Sequence, residues 1–418
     1  MLTNVTTPLL GVVATAVIGR LGQAHLFGGV AMASVVFDCI FWLFAFLRMG
    51  TVAFTAQALG AGDKLEQRTV LARALLVAAA IGLALIALQV PLATTIFGAM
   101  GGSEAVTGAA RQYFFVRLWS APFVLANYVM LGWLVGLARA GTGMAIQVFI
   151  NVTNMALMAL LVLVFGAGIS GAALASVTAE ALGLALGLAV AWHLLGGRFD
   201  LTAAALFDRE RLMRMLSVNG DIMIRTAALI AAFLFFTARG ARAGDVTLAA
   251  NAVLHNFTLV GAFFLDGIAN AAEQLCGQAF GAHDRKGFAR AVKLVVIWGF
   301  VFGVAATALF AAVGKPMIDV MTTSPEVREA ARHLMWLAAL APVCGVMAFC
   351  YDGIYVGATW ARDMRNLMLA SLALYLGAWW LLEPLGNMGL WIALLIFFIA
   401  RGALQALRYP TLARTQFA

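Results

Sequence analysis

Residues 74–90 read ALLVAAAIGLALIALQV, seventeen positions holding one amide and no charge. The run does not alternate apolar with polar over ~10 residues, as a porin-type strand would. With its neighbours it is long enough to cross ~30 Å of hydrocarbon as a helix. Residues 182–191, LGLALGLAVA, have the same character. Inside hydrocarbon a segment must satisfy its own backbone hydrogen bonds, so a continuous apolar run reads as a helix. The whole chain follows suit: of 418 residues, 63% are apolar and 11% charged. A soluble domain runs at about 45–50% and about 25%. A mean hydropathy of +0.96 leaves no room for a sizeable water-facing domain. Soluble enzymes, disordered scaffolds and secreted disulfide modules are excluded; the fold class is an all-α integral membrane protein.

Charges, Gly and Pro divide the chain into twelve expected spans: 2–20, 28–59, 70–97, 105–138, 144–165, 170–196, 212–239, 246–280, 288–313, 326–360, 364–382 and 388–409. Fourteen Lys and Arg residues follow even-numbered spans and seven follow odd-numbered ones. Basic residues collect on the cytoplasmic side, so both termini are expected there. Cys39, Cys276, Cys344 and Cys350 all lie in apolar stretches without zinc-type spacing and read as small buried hydrophobes. Met1 is followed at once by the first span, with no basic leader or cleavage pattern, so no signal peptide is expected. That span is short and holds Pro8, which suggests a start upstream of Met1.

An internal repeat organises the spans. AQALGAGD at 56–63 returns as GQAFGAHD at 277–284, an offset of 221. The same offset pairs LGWLVG at 131–136 with DGIYVG at 352–357 and Gly19 with Gly240; Pro122 and Pro342 pair at 220. Six spans per repeat is an even number, so both halves enter the membrane in one direction, related by a pseudo-twofold axis along its normal. The expected organisation is a lobe over 1–196, a cytoplasmic linker over 197–211 and a second lobe over 212–418. Two such lobes around a central cavity, rocking for alternating access, point to a secondary transporter.

Carboxylates within spans are costly, about 2.5–3.5 kcal/mol each, and mark function by default. Asp266 in AFFLDGIAN and Asp352 in AFCYDGIYVG are the leading candidates for ion coupling or substrate contact. Asp38 in SVVFDCIFW is a third. Asp221 and Arg225 stand i,i+4 on span 7 and suggest a local ion pair. Glu180 and Glu273 read as structural. Asn251 and His255 lie one turn apart on span 8, where the histidine is either a proton gate or a packing residue. Gly60–Asp63 and Tyr351–Asp352 spell the GxGD and YD of intramembrane aspartyl proteases, in reversed order and with Asp63 in a charged loop; that reading fails. HExxH, P-loop and GxSxG patterns are missing from the sequence, which leaves zinc proteolysis and ATP-driven transport within this chain unsupported.

PLLGVVATAVIGRLG, FLRMGTVAFTAQALGAGD, SAPFVLANYVMLGWLVGLARA, NGDIMIRTAAL and FFLDGIANAAEQLCGQAFGA together resemble the DinF branch of MATE (multidrug and toxic compound extrusion) transporters. The resemblance spans nearly the whole chain and implies export of organic, often cationic, compounds by antiport with protons or sodium. It also exposes two departures. The branch normally has an aspartate where this chain has Ala14, and a second where it has Met158, four residues after Asn154. Asn154 and Ser176 match the remaining polar positions of the family's cation pocket, which then holds no titratable group. Coupling is therefore expected on Asp266 and Asp352, which match acidic positions of the second lobe. Compensation of Ala14 by Asp38, or loss of coupling, are the competing outcomes.

The expected function is a proton-coupled exporter in the inner membrane, with Phe263, Phe264, Tyr351 and Tyr355 lining a permissive cavity and offering cation–π contacts. A lipid-linked-substrate flippase is the runner-up, weakened by sparse in-span arginines such as Arg48 and Arg117. A membrane-embedded enzyme finds no clustered constellation. The expected partners are a small-molecule substrate, protons ahead of Na⁺, and the bilayer. No cofactor, metal or nucleic acid is expected, and the chain is expected to be a monomer.

Overall fold

The computed structural model describes residues 3–20, 22–197 and 202–417, and of residues 3–9 and 12 the backbone alone. The expectation about a start upstream of Met1 lies outside the described residues. The first half comprises α1 (Thr3–Gly19), α2 (Ala24–Leu43), α3 (Phe46–Gly60), α4 (Lys64–Ala87), α5 (Gln89–Met100), α6 (Glu104–Arg117), α7 (Ala121–Gly136), α8 (Ala140–Ala159) and α9 (Gly168–Leu194). A four-residue α10 (Ala203–Leu206) leads to α11 (Arg209–Arg242), α12 (Asp245–Gly281), α13 (Arg285–Met321), α14 (Pro325–Gly357), α15 (Ala361–Leu382) and α16 (Gly386–Gln416). Ten stretches among the described residues are long and apolar enough to cross a bilayer. The last of them, Ala361–Gln416, breaks in two at Glu383–Leu385, and the 17-residue α1 precedes them all. Counted in this way, the twelve expected helices are present.

Several spans are built from two rods, for local reasons. Between α2 and α3 the backbone tightens at Phe44 and Ala45, whose N–H groups reach back to Ile40 and Trp42. Between α6 and α7 a 3₁₀ turn, Leu118–Ser120, delivers the chain to Pro122, which has no N–H to donate to a preceding turn. The same proline chemistry inside α14, at Pro342, is tolerated without a break.

The chain divides into two compact units between Met215 and Leu216, with Gly60–Gly62 grouped with the second. In the first, α2 packs on α6, α4 on α7, α8 on α9 and α1 on α8. In the second, α14 is central, packed by α12, α13 and α16, and α15 lies on α16. Large apolar side chains such as Leu83, Val164, Phe165, Leu381 and Leu407 are exposed, which suits a surface bathed in lipid. Cys276 and Cys350 are buried and Cys344 half-buried, but Cys39 is exposed, a correction to the expectation for it. It shares an outward stripe of α2 with Val35 and Trp42, and an apolar span has such a face as well as a core face.

The repeat recurs in each unit's own packing. A Cβ on Gly132 would meet the Arg48 carbonyl at 2.5 Å and Thr51 at 3.0 Å; one on Gly353 would meet the Ala269 carbonyl and Ala272, each partner displaced by 221. Gly136 against Val52 and Gly357 against Glu273 repeat the relation. Small residues four apart let helices approach closely, which drives association where lipid is as apolar as the helices themselves. The caps match too. Asp63 accepts from the Glu66 N–H at 2.9 Å and Asp284 from Gly287 at 2.9 Å; Ser103 and Ser324 cap α6 and α14. Even the left-handed residues coincide, with Ala138 (φ 60°) answered by Thr359 (φ 55°).

The connection expected over 197–211 runs partly through residues 198–201, outside the described ones. Its following helix α10 is held on α4 by Arg73. That buried guanidinium donates to the Leu206 carbonyl at 3.1 Å and to the Ala205 carbonyl, and pairs with Glu66 at 2.9 Å. Glu66 also pairs with Arg211.

Candidate functional site

The first unit gathers its polar groups around Arg117, the last residue of α6 before the 3₁₀ turn. Its guanidinium donates to the Tyr113 hydroxyl at 2.7 Å and to Ser176 Oγ at 3.2 Å, and lies 5.2 Å from the Phe37 ring centroid. Ser176 on α9 also accepts from Asn154 Nδ2 on α8 at 3.2 Å. Asn154 and Ser176, the pair expected in the cation pocket, are thus brought together, with Met158 buried on the same helix and Ala14 half-buried on α1. None of these four side chains is titratable, but a permanently charged one borders the pocket. Arg117 enters it from α6 and interacts electrostatically with both Asp38 and Glu180. Asp38 is exposed on α2, and Glu180 accepts from Asn127 Nδ2 at 2.7 Å.

The second unit centres on Asp352, buried on α14 and 3% exposed. One carboxylate oxygen pairs with both Arg225 of α11 and Arg401 of α16; the other accepts from Gln405 Nε2 at 2.8 Å. Gln405 stands one turn beyond Arg401, so α16 presents both donors on one face. The local Asp221–Arg225 pair expected on α11 does not form. Arg225 turns to Asp352, and Asp221 pairs with Arg365 of α15 at 2.5 Å. The reason is burial. A deeply buried carboxylate must be answered within the core, and Arg225 is the guanidinium of α11 that reaches it. Half-buried Asp221 is left to a partner nearer the water.

Asp266 and Glu273 stand seven residues apart on α12, two turns along one face. Asp266 is exposed and Glu273 buried; both act electrostatically on Arg225, and Asp266 also on Arg401. Both leading candidates therefore belong to one charged cluster, Asp352 inside it and Asp266 at its edge. Asn251 exchanges amide hydrogen bonds with Asn387 at 2.8 and 2.9 Å and accepts from Trp391 Nε1 at 2.9 Å, a tie between α12 and α16. His255 stacks edge-on against Phe233, and its Nδ1 is buried without a partner.

Of the expected cavity aromatics, Phe263 and Phe264 are exposed. Tyr351 and Tyr355 are not; they are buried among Trp360 and Tyr409, and the Tyr355 hydroxyl donates to the Gln405 carbonyl at 2.8 Å. Sequence reasoning missed Arg401 and Gln405 altogether. The available signal was the cost of an in-span guanidinium, which is as high as that of a carboxylate. Among the described residues no group of three or more His, Cys, Asp or Glu side chains is placed to hold a metal ion.

The MatE family model matches residues 1–160 and 222–378, one block in each half. The chain belongs to the MatE family. It is a multi-pass membrane transporter of the MATE type, not an enzyme. Among its relatives is the DNA damage-inducible protein F of Escherichia coli K12, 36% identical over 405 residues, covering 96% of this chain and 87% of that one. The Probable multidrug resistance protein NorM of Caulobacter vibrioides is 28% identical, covering 86% and 78%. The fold is that of solved MATE structures. One in a bent conformation superposes with a TM-score of 0.88 at 20% identity, covering 99% of this chain and 94% of that one. A MOP-superfamily transporter from Pyrococcus furiosus gives 0.89 at 18% identity, covering 100% and 94%.

Proposed function

We propose that this transporter exports organic cations or amphipathic compounds by antiport against protons, with Asp266 as the carboxyl that exchanges proton for substrate. The observation that carries the reading is the place of Asp266, an exposed acid at the edge of the second unit's charged cluster. Three acids, Asp266, Glu273 and Asp352, face two guanidiniums, Arg225 and Arg401. Asp266 stands at the exposed edge of this cluster, where a proton and a substrate cation compete for one carboxyl. Asp352 has both oxygens engaged and serves as the frame. Asp266 is the exposed acid of the three and the one a substrate can reach. Competition at one carboxyl, open in turn to each side, is sufficient for antiport.

Protons are favoured over Na⁺ because a hard cation needs several free oxygen ligands, and those of Asp352 are occupied by Arg225, Arg401 and Gln405. The multidrug resistance name carried by the Caulobacter relative supports an organic substrate. The distribution of basic residues and the Escherichia coli relative support a bacterial inner-membrane location with both termini cytoplasmic.

The test is transport of a fluorescent cation in proteoliposomes at clamped voltage, driven first by a pH gradient and then by a sodium gradient. Transport should follow pH alone. Asp266→Asn should abolish it while leaving cation binding measurable; unaltered export by that variant refutes the assignment.

A further inference from the structure

We propose that Glu180 is a second proton-binding site of this transporter, in the first unit, positioned by Asn127 and balanced electrostatically by Arg117. Glu180 lies near the middle of α9, where a carboxyl is expensive and a purely structural one would be expected to sit in an ion pair. Its hydrogen-bond partner is instead an amide. Asn127 Nδ2 donates to Glu180 Oε2 at 2.7 Å and to the Glu180 backbone carbonyl at 2.9 Å, which fixes the side chain whichever protonation state it holds. As a carboxylate Glu180 accepts that bond; as an acid it keeps the bond on Oε2 and carries the proton on Oε1. Asp352 has no such freedom, because two guanidiniums and an amide claim its oxygens.

The surroundings suit a proton that comes and goes. Arg117 is anchored by neutral groups, the Tyr113 hydroxyl, Ser176 Oγ and the Phe37 ring, so its charge is fixed in place while acting on both Asp38 and Glu180. Tyr128 lies within electrostatic reach of Glu180, Arg48, Asp38 and Arg117. With both acids ionised the group carries two negative and two positive charges; one proton on Glu180 makes it cationic and hostile to a cationic substrate. Three buried polar atoms here, Arg117 Nε, Asn127 Oδ1 and Asn154 Oδ1, have no hydrogen-bond partner. Buried polar atoms are nearly always satisfied, and water, the carrier of protons, supplies both the acceptor and the donors these atoms lack. The step is a simple one: a proton arrives on Oε1 from one side of the membrane and leaves to the other, and no other bond changes.

The coupling role of this site rests on the proton-driven reading above, so the experiment has an arm independent of transport. Infrared difference spectra of the purified protein on acidification should show a protonated-carboxyl band that Glu180→Gln removes and Asp266→Asn leaves in place. Gln keeps the volume and the bond to Asn127, and gel filtration verifies the fold. A band unchanged in Glu180→Gln overturns the proposal. In proteoliposomes driven by pH, Glu180→Gln should still transport, with the limiting accumulation of a fluorescent cation lowered about tenfold per unit of pH gradient, the loss of one proton per cycle. Unchanged accumulation overturns the coupling role. If the wild type does not respond to pH at all, the Asp266 reading fails and the infrared arm alone decides on Glu180.

Discussion

Replacing Asp352 by Asn is the sharpest probe of the charged core in the second unit. The change is isosteric and keeps an acceptor for Gln405, but it removes the charge that answers Arg225 and Arg401, which are 7% and 2% exposed. Removing one partner of a buried ion pair typically costs about 3–5 kcal/mol, because the other charge is left uncompensated. Here one carboxylate serves two guanidiniums, so the upper part of that range applies. At about 2–4 °C per kcal/mol for a unit of this size, the melting temperature should fall by roughly 8–20 °C. Thermal unfolding of the detergent-solubilised protein, followed by size-exclusion fluorescence, reads this directly. Asp266→Asn serves as the contrast. Its side chain is exposed, and its loss should shift the melting temperature by far less while abolishing transport. Adding Arg401→Met to Asp352→Asn should recover part of the loss, since the charge of Arg225 is still met by Asp266 and Glu273. A shift in Asp352→Asn no larger than that in Asp266→Asn would refute the claim that this carboxylate holds three helices together.

The helix contacts give a further expectation: Gly353→Ala places a methyl against the Ala269 carbonyl and should cost about 1–3 kcal/mol by forcing α12 and α14 apart, seen as a lowered melting temperature. The repeat-related Gly132→Ala, against the Arg48 carbonyl, should behave alike in the first unit. In the linker, Arg73→Ala removes the clamp on α10 and the pair with Glu66, and limited trypsin digestion at Arg209 and Arg211 should accelerate several-fold; an unchanged cleavage rate would mean that other contacts hold α10.

The fold was legible because its signals are long. Apolar runs such as 74–90 mark spans whatever their neighbours do, and a constant offset of 221 survives when single residues drift. The charged core was only half legible. The sequence marked Asp266 and Asp352 by their cost, yet it offered the local spacing of Asp221 and Arg225 as a pair, and that spacing misled. In a helix bundle an i,i+4 pair is one option among several, and the deeper carboxylate takes the nearest guanidinium whatever its place in the chain. Arg401 reaches Asp352 from 49 residues away, a distance no local pattern encodes. The reading of Ala14 and Met158 looked only at the pocket's own positions, whereas Arg117 comes in from another helix. Acids and bases within a membrane must be weighed together for each lobe, since each charge there is tolerated through the others. Weighed so, Arg117 acts on Glu180 and Asp38 in one lobe, whereas in the other Arg225 and Arg401 stand among Asp266, Glu273 and Asp352. On the reading proposed above, Asp266, the exposed acid of that group, is where a proton and a substrate cation compete.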